Sequence, residues 1–433
     1  MNKRVLIVTY YWPPSGGSGV QRWLKFVKYL VRAGWEPVVF TPENPSFTLE
    51  DKSLIKDVPN SVEVIRFPIW EPYQLFFKLS SLAGNKNPQQ ADFISTGKKT
   101  FFQKTSSWIR GNFFIPDARL FWVKPSVEYL IDFVKRNKIE KIITTGPPHS
   151  IHLIGLKLKK LNPALYWIAD FRDPWSEWDL LDTLSLTSLA RKKHVALEKK
   201  VLTTADRVLT IAPYHVKRFE ALSGRKVDLI TNGFDEDDFE KIENTRTEKF
   251  TIRHVGIVDE LRDPKPVMQA IKELCASDPY FANRVRVEFI GKVNSSFKKF
   301  VQEDAQLSII TKFLDQIPHD QLLRLHGSTD LQLLVLAHTA IAPGNLPGKF
   351  FEYLASRKPI LAIGPVDGDA ANILHQSKTG AIKEHTDHEG IKTELFGYYE
   401  LWKSGDSIVT GEIEMFTRKK ITESLIKLLE NGH

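Results

Sequence analysis

The segment from Pro347 to Ala355 combines three residue types that suit a phosphorylated ligand. It reads Pro-Gly-Lys-Phe-Phe-Glu-Tyr-Leu-Ala and opens a predicted helix. Gly348 leaves backbone N–H groups accessible at the helix N-terminus, Lys349 offers a cation for phosphates, and Glu352 offers a carboxylate for vicinal ribose hydroxyls. A capped surface helix with solvated Lys and Glu would contain the same residues, so the surrounding sequence has to decide.

The surroundings add positive charge at a matching place in the chain. A predicted strand, Phe250–Val255, ends in Gly256, and Arg262 and Lys265 follow in the next loop. Ligands of open α/β sheets bind outside the carboxyl ends of the strands, so these cations would stabilise a pyrophosphate there. The predicted nucleotide-binding residues are Gly256, Arg262, Lys265, Gly348, Lys349 and Glu352.

Titratable groups gather at the end of another predicted strand, Leu165–Phe171. This strand delivers Asp170, Arg172 and Asp173, and the preceding strand is followed by Gly-Pro-Pro and His149. These four residues are the candidate catalytic groups. The alternatives are structural, because Asp173 could cap a helix before Pro174 and Arg172 could form an ion pair with a neighbouring Asp.

A glycine-rich turn connects the first predicted strand to the first predicted helix. Gly16, Gly17 and Gly19 would let the backbone approach a ligand closely at a helix N-terminus. A dinucleotide fingerprint requires Gly-x-Gly-x-x-Gly and an acidic residue at the end of the second strand, and neither is present. NAD binding is therefore disfavoured, and a tight turn without a ligand remains an alternative.

Two Asp-x-Asp triplets raise the question of a metal. The triplet at 235–237 lies in a polar linker, and the triplet at 367–369 precedes a helix that an aspartate would cap. His and Cys show no zinc-type spacing. We therefore expect no metal and no cofactor apart from the donor substrate.

The elements that must position these residues follow one repeated pattern. A short β-branched run, a turn and an amphipathic helix alternate twice along the chain, which predicts an α/β fold with two doubly wound, Rossmann-like domains. The 433 residues also suit two domains rather than one. We place an N-terminal domain at 1–235, a linker at 236–249, a C-terminal domain at 250–417, and a helix at 418–433 that crosses to the N-terminal domain.

Composition and net charge limit the partners and the cellular location that we expect. The chain has 60 Lys and Arg against 52 Asp and Glu, a net charge of +8 that suits an anionic partner. Its single cysteine, Cys275, excludes an intrachain disulfide, and no apolar run approaches the ~18 residues of a membrane span. We expect a cytoplasmic protein.

An insertion near 69–124 interrupts the α/β pattern with aromatic and basic residues. One interpretation is an extra pair of helices whose aromatics belong to the core. A second is an anionic membrane surface, because aromatic rings lie among lipid head groups and cations attract anionic lipid. Nucleic-acid binding is a third interpretation, but we expect no nucleic-acid partner. The side chains concerned are Phe76, Phe77, Lys78, Lys98, Lys99, Phe101, Phe102, Lys104, Trp108, Arg110, Phe113, Phe114, Phe121, Trp122 and Lys124.

The chain resembles retaining glycosyltransferase family 4, which has the GT-B fold of two facing Rossmann-like domains with a central cleft. The resemblance extends from Val5 to about Leu374. Within this family, the chain resembles bacterial surface-polysaccharide glycosyltransferases. Its motifs are the loop Gly16-Gly17-Ser18-Gly19, the phrase Thr231-Asn232-Gly233-Phe234-Asp235, Gly256 with Arg262, and Pro347 to Ala355 continuing into Lys358-Pro359-Ile360-Leu361.

This resemblance implies metal-independent, retaining transfer from a UDP- or GDP-sugar to a glycan or lipid-linked acceptor. Arg262 and Lys265 would contact the donor diphosphate and Glu352 the ribose, with Lys349 assisting. Asp170 or Asp173 would steer the acceptor hydroxyl or support charge near the anomeric carbon, and His149 would bind sugar or acceptor. The site would lie at the inner face of a membrane if the acceptor is lipid-linked.

One position departs from the family pattern. Family members usually have a first glutamate eight residues before the second, and here Gly344 stands eight residues before Glu352. The backbone from Gly344 to Pro347 would then contact the donor sugar. Two other functions stay open: a nucleotide-sugar 2-epimerase of the same fold, and a non-catalytic protein that binds polyanions or membranes.

Overall fold

The computed structural model describes residues 2–46, 49–71, 101–240, 242–243 and 245–432. The predicted insertion residues between 72 and 100 lie outside this part of the chain. The chain divides into two compact units, one formed by Met1–Thr231 with Ile421–His433, and the other by Asn232–Lys420.

The first unit is built on a parallel sheet in the order β3-β2-β1-β4-β5-β6-β7. The strand order reverses between β1 and β4, so the loops that follow these two strands meet at the topological switch point, where α/β sheets bind ligands. The strands are β1 (Arg4–Val8), β2 (Glu36–Pro42), β3 (Glu63–Phe67), β4 (Lys141–Gly146), β5 (Tyr166–Phe171), β6 (Arg207–Thr210) and β7 (Asp228–Leu229).

Helices cover this sheet because their apolar residues recur at helical spacing. In α1 (Ser18–Arg32), Val20, Trp23, Leu24 and Val27 are buried. The other helices of the unit are α2 (Phe101–Phe113), α3 (Leu120–Arg136), α4 (Ser150–Leu161), α5 (Asp179–Asp182), α6 (Ser188–Thr204) and α7 (Pro213–Ser223), with a 3-10 turn at Lys52–Asp57.

The second unit has a parallel sheet in the order β10-β9-β8-β11-β12-β13. Its last strand escaped prediction because it has four residues, starts at a glycine and lacks a fully buried position. The strands are β8 (Phe250–Val255), β9 (Val285–Ile290), β10 (Thr311–Leu314), β11 (Leu331–Val335), β12 (Ile360–Ile363) and β13 (Gly380–Lys383).

Helices also surround this second sheet, and the region predicted as a linker contains a short one, α8. The helices are α8 (Glu236–Phe239), α9 (Lys265–Ser277), α10 (Pro279–Arg284), α11 (Ser295–Gln302), α12 (Ala305–Ile310), α13 (His319–Gly327), α14 (Gly348–Ala355), α15 (Asp369–Ser377) and α16 (His388–Ser404). Two 3-10 turns lie at Ala342–Gly344 and Glu414–Phe416.

The last helix, α17 (Arg418–Glu430), begins in the second unit and packs on the first. Ile421, Leu425 and Leu429 are spaced four residues apart and are buried in the same core cluster as Val5 and Trp23. This spacing places all three on one face of the helix.

The two parallel sheets with their helices confirm the predicted α/β class with two Rossmann-like domains. Within the described residues, no helix is both long and apolar enough to cross a bilayer. The described part of the predicted insertion contains both core and surface aromatics. Trp122 is buried and stacks on Phe40 at 5.1 Å, whereas Trp108, Phe113 and Phe121 are exposed.

Candidate functional site

Helix α14 holds the carboxyl end of β8 through two side chains one turn apart. Lys349 Nζ donates a hydrogen bond to the carbonyl oxygen of Val255 at 2.7 Å, and the N–H of Val255 donates to the hydroxyl of Tyr353 at 2.9 Å. Both polar groups of the last strand residue are therefore bound by one helix. This places the ammonium of Lys349 beside Gly256, the first residue after the strand.

Two glycines are required at this edge for a geometric reason. Gly256 has φ +117° and Gly291 has φ +125°, a region of backbone conformation that other residues rarely adopt. A Cβ on Gly256 would lie 3.2 Å from Lys349 Nζ, and one on Gly291 would lie 2.6 Å from the carbonyl oxygen of Gly256. The glycines leave bare backbone next to the cation.

The electrostatics at Lys349 favour an added anion. Burial and, second, the positive charge of Arg262 lower the pKa of Lys349 to about 7, while Asp259 acts in the opposite direction. Arg262 itself is paired with Asp259 at 2.7 Å. Two cations and one carboxylate thus lie near one another, so an added anion would relieve the repulsion between the cations.

Glu352 lies one turn after Lys349 and contacts a residue that the sequence did not indicate. His319 Nε2 lies 2.9 Å from Glu352 Oε1. Burial raises the pKa of Glu352, but the charges of His319, His326 and Arg418, with the hydrogen bond from His319, outweigh it and hold the pKa below its usual value. Glu352 is therefore ionised at neutral pH and acts as a hydrogen-bond acceptor.

The other two predicted nucleotide-binding residues lie at the starts of helices. Gly348 is the first residue of α14, and the preceding Pro347 makes no side-chain cap. Lys265 begins α9, pairs with Asp263 at 3.5 Å and lies over the ring of Phe300. Gly256, Arg262 and Lys349 thus lie together at the carboxyl end of β8, and Glu352 lies one turn further along α14. Lys265 contacts Asp263 in its own loop and Phe300 of α11.

In the first unit, Asp170 is fully buried in an ion pair. Its two carboxylate oxygens accept hydrogen bonds from Arg22 at 2.9 and 3.2 Å. One of them also accepts from Trp23 at 2.8 Å and Thr145 at 3.0 Å. Burial raises the pKa of Asp170, but the charge and hydrogen bonds of Arg22 lower it more, so the carboxylate is ionised. Asp170 joins α1, β4 and β5.

Arg172 connects three loops at the same edge. Its guanidinium donates to the carbonyl oxygens of Gly146 at 3.0 Å, Pro147 at 2.6 Å and Gly19 at 2.7 Å. A Cβ on Gly19 would lie 3.0 Å from Arg172 Nη1, so a glycine permits this approach. Arg172 therefore holds the glycine turn and the loop before His149 next to the end of β5.

Asp173 has a different environment from its neighbours. The side chain is half-buried, and it takes part in no hydrogen bond with the described residues. Removal from water raises the pKa of Asp173, Arg172 counteracts this, and Asp170 and Asp179 add to it. Among the candidate carboxylates of the first unit, Asp173 is the one whose oxygens are available to a ligand.

His149 is buried among aromatic rings at the start of α4. It stacks on Trp175 with ring centres 5.3 Å apart and planes 4° from parallel. Neither ring nitrogen has a hydrogen-bond partner in the described part of the chain. Burial, then the charges of His152 and Arg172, lower the pKa of His149 well below its usual value, so the ring is neutral.

The glycine turn is explained in part by packing. Gly17 has φ +88°, and a Cβ on Gly16 would lie 2.9 Å from Leu49 Cγ. These positions require glycine whether or not a ligand binds. A role for Gly16 and Gly17 in binding an acceptor or donor stays a prediction.

The two aspartate triplets relate differently to the helices that follow them. The Asp235 side chain accepts from the N–H of Asp237 at the start of α8. The second triplet differs from expectation, because Gly368 occupies the cap position and Asp369 is the first helical residue. Gly368 has no side-chain oxygen that could accept a hydrogen bond from an N–H group in the first turn of α15. The predicted aspartate cap is therefore wrong.

One cluster in the described residues has ligand types that suit a metal: Glu273, His388 and Glu389. Lys392 already neutralises it, with Nζ 3.0 Å from Glu273 and 2.9 Å from Glu389. The cluster is therefore an ion-pair network on the surface of α9 and α16.

Sequence reasoning missed His319, Tyr353 and the pairing of Arg22 with Asp170. Arg22 carried a readable signal, because it is a charged residue directly before the buried Trp23 of the amphipathic helix α1. His319 carried none, since it lies 33 residues before Glu352 and on another helix.

Comparisons identify the architecture. No protein-family model matches this sequence, and no curated protein is similar enough to count as a relative. A solved glycosyltransferase from Rickettsia africae matches with a TM-score of 0.59 and 13% identity, covering 99% of this chain and 93% of that one. The chain has the GT-B fold.

Other structures with the GT-B fold match over similar lengths. The trehalose-6-phosphate structure from E. coli bound with UDP-2-fluoro glucose has a TM-score of 0.60 and 11% identity, covering 99% of each chain. The lipopolysaccharide outer core galactosyltransferase WaaB has a TM-score of 0.57 and 11% identity, covering 99% of this chain and 100% of that one. At such identities the similarity establishes the GT-B architecture, and the reaction has to be inferred from the side chains.

Proposed function

We propose that this protein is a glycosyltransferase that moves a sugar from a nucleotide-diphosphate sugar to a glycan or lipid-linked acceptor. The observation that carries the proposal is on α14. The ammonium of Lys349 lies beside the bare backbone of Gly256, and the ionised carboxylate of Glu352 follows one helical turn later. A nucleoside diphosphate has the matching groups, which are an anion and a vicinal diol.

The diphosphate is assigned to the Lys349 end of this turn. Lys349 and Arg262 supply positive charge, and the N-terminus of α14, at Gly348, adds the partial positive charge of a helix start. Burial and the charge of Arg262 lower the pKa of Lys349, so its charged form would gain from negative partners. A diphosphate would provide them.

The ribose is assigned to Glu352. Residues three apart on a helix lie about 5 Å apart along and around its surface, which is the scale of the step from a diphosphate to the ribose diol. A carboxylate accepts two hydrogen bonds from neighbouring hydroxyls without a change of rotamer. The nucleotide of the donor is UDP or GDP.

The proposed chemistry is retaining and needs no metal and no protein nucleophile. The bond between the anomeric carbon and the phosphate oxygen breaks, and its electron pair goes to the phosphate. The acceptor oxygen bonds to the same face of the anomeric carbon and passes its proton to the departing phosphate. Lys349 and Arg262 stabilise the charge that develops on that leaving group.

The acceptor side is assigned to the first unit. Asp173 is the carboxylate with available oxygens, and His149 is a neutral ring with two available nitrogens. Asp170 and Arg172 have their polar atoms engaged with the protein, so we assign them to positioning the loops that carry Asp173 and His149. Gly344 to Pro347 are assigned to the donor sugar.

The similar GT-B structures support this class of reaction. They include a glycosyltransferase, a galactosyltransferase of the lipopolysaccharide outer core and a complex with a UDP-sugar analogue. A lipid-linked acceptor at the cytoplasmic face of a membrane is the finer proposal.

An aromatic surface on the first unit supports a location at a membrane. Trp70 and Phe121 contact edge to face at 4.9 Å, and Trp108 and Phe113 at 5.7 Å. All four rings are exposed, between 41% and 67%. Single exposed apolar side chains are ordinary, but paired exposed aromatics favour an interfacial surface.

We propose that this surface binds anionic bilayers. Vesicles with acidic phospholipid should sediment the wild-type protein, and the double variant Trp108→Ser/Phe113→Ser should bind at least about tenfold more weakly. Neutral vesicles and an exposed residue elsewhere, Tyr280→Ser, serve as controls. Equal sedimentation of the double variant and wild type would overturn the membrane proposal and leave the transferase proposal in place.

The transferase proposal is tested with the purified protein and a panel of UDP- and GDP-sugars. One donor should raise the melting midpoint and be slowly hydrolysed, because a ligand that binds the folded state stabilises it. Glu352→Ala should reduce the shift of the midpoint and abolish hydrolysis, while Glu303→Ala, at the exposed residue that follows α11, should keep both effects. Release of an epimerised nucleotide sugar without acceptor would assign an epimerase instead, and no response to any donor would reject both enzymes.

A further inference from the structure

His319 contacts Glu352, and the proposed function gives His319 no role. His319 is the first residue of α13, and Nε2 lies 2.9 Å from Glu352 Oε1 on α14. The exposed fractions of the two side chains are 16% and 18%, so the pair is shielded without being sealed from solvent. A ligand can reach it.

The hydrogen bond occupies one oxygen of the carboxylate. Oε1 is bonded to His319, and the Glu352 carboxylate makes no further hydrogen bond in the part of the chain that the structure describes. A carboxylate oxygen has two lone pairs, so Oε1 can accept one more donor and Oε2 can accept two. A vicinal diol needs one acceptor for each of its two hydroxyls, and this arrangement supplies them.

A second contact two turns along keeps α13 beside α14. The ring of His326 packs edge to face against Tyr353 at 5.7 Å, and His326 is bonded to Gln332 at 2.9 Å. Tyr353 in turn accepts from the N–H of Val255. The helix that carries His319 is thus fixed to the helix that carries Glu352, so the orientation of the imidazole is set before any ligand arrives.

We infer that His319 is a positioning residue for the ribose: it holds Glu352 in the rotamer that accepts both hydroxyls of the nucleotide diol. The inference rests on the proposed function, because it needs a nucleoside diphosphate at this edge. It adds to that function a second residue, from a different helix, that determines the preference for a ribonucleotide over a deoxy form.

The chain contains a matched control. His388 Nε2 lies 2.8 Å from Glu273 Oε1, on the surface of the same unit. This pair has the same chemistry and a similar distance, but its glutamate is 51% exposed and belongs to the network with Lys392. A general effect of losing a His–Glu bond would appear in His388→Ala as well.

The test measures dissociation constants of UDP, GDP and their 2′,3′-dideoxy forms for the full chain by calorimetry. His319→Ala should weaken the better-bound ribonucleotide about tenfold, the size expected for loss of a hydrogen bond to a charged group. The dideoxy form should bind wild type and variant equally. His319→Gln, which keeps an N–H donor at similar reach, should restore most of the affinity, and His388→Ala should change nothing.

A double-variant comparison separates positioning from direct contact. If His319 acts through the carboxylate, Glu352→Ala/His319→Ala should bind no more weakly than Glu352→Ala alone. Equal losses for ribo and dideoxy forms in His319→Ala would overturn the inference and indicate a structural pair. Failure of the wild type to bind any nucleoside diphosphate would overturn the proposed function together with it, whereas discrimination by Glu352 without any by His319 would overturn the inference alone.

Discussion

The ammonium of Lys349 donates to the carbonyl oxygen of Val255 at 2.7 Å, which joins the first turn of α14 to the last residue of β8. Both ends of this bond lie next to Gly256, whose φ of +117° would strain any side chain. A half-buried cation is thereby held at a strand end by one backbone oxygen. This arrangement leaves the cation with capacity for a stronger anionic partner.

Nucleotide binding should depend on pH through Lys349. Its pKa is lowered to about 7, so the free protein loses this charge as the pH rises above that value. A bound diphosphate favours the ammonium, so binding above pH ~7 must take up a proton and affinity must fall as pH rises. Calorimetry of UDP or GDP binding from pH ~7 to ~9 in two buffers of different ionisation enthalpy measures that uptake.

Lys349→Met is the control for this pH dependence. The variant should bind the nucleotide more weakly, and its remaining affinity should be flat over the same range. A wild-type protein that binds without taking up protons above neutral pH would show that Lys349 does not contact the diphosphate.

Gly256→Ala should disrupt the site through backbone strain. A left-handed φ at a residue with a side chain costs roughly 1–3 kcal/mol, and the new methyl group would meet Lys349 Nζ at 3.2 Å. We expect a lower unfolding midpoint and loss of nucleotide-induced stabilisation. Gly397→Ala, on α16 with open space around it, should leave binding intact and stabilise the helix by about 0.5–1 kcal/mol. Unchanged nucleotide binding in Gly256→Ala would argue against this edge as the site.

The Arg22–Asp170 pair should matter for stability more than any surface ion pair. Both side chains are 0% exposed, so Asp170→Ala leaves an uncompensated guanidinium in the core, a change that costs about 3–5 kcal/mol. The comparison is Asp182→Ala, which breaks an exposed pair with Arg191 and should cost below about 1 kcal/mol. Chemical denaturation followed by a probe in the first unit measures both. Similar costs for the two variants would contradict the buried-pair explanation.

Asp173→Asn should affect turnover without affecting the donor. Asp173 lies in the first unit and has no hydrogen-bond partner among the described residues, so the substitution removes a charge and leaves the packing. We expect kcat to fall about a hundredfold with the nucleotide dissociation constant unchanged. Steady-state transfer assays and calorimetry on the same preparation test this, and an unchanged kcat would remove Asp173 from the proposed mechanism.

Much of the fold could be predicted because its signals are local. Buried parallel strands such as Phe250–Val255 appear as short apolar runs, and α1 shows its apolar spacing directly. The strand Gly380–Lys383 could not be predicted, because an edge strand of four residues has no buried run. The predicted strand Val227–Thr231 shortens to two residues, and Arg22 binds the carbonyl oxygens of Ile230 and Thr231 instead.

Some residues of the candidate site could also be predicted from the sequence, and others could not. Gly348, Lys349 and Glu352 could be predicted as a group since they share one helical turn, and Gly256 with Arg262 since they follow a strand. Asp170 and Asp173 are three residues apart and looked equivalent in the sequence. They differ because Asp170 meets Arg22, Trp23 and Thr145 in the core, whereas Asp173 lies beyond the strand end and keeps its oxygens available.

The sequence by itself determined that this protein has two α/β domains and a cation and a carboxylate one turn apart on one helix. Those features depend on periodicity and on residues close together in the chain. Only the tertiary structure decided that Lys349 bonds to Val255, that His319 meets Glu352, and which aspartate is buried. Each of these depends on contacts between residues far apart in sequence, and such contacts are set by how helices pack on the sheet rather than by local spacing.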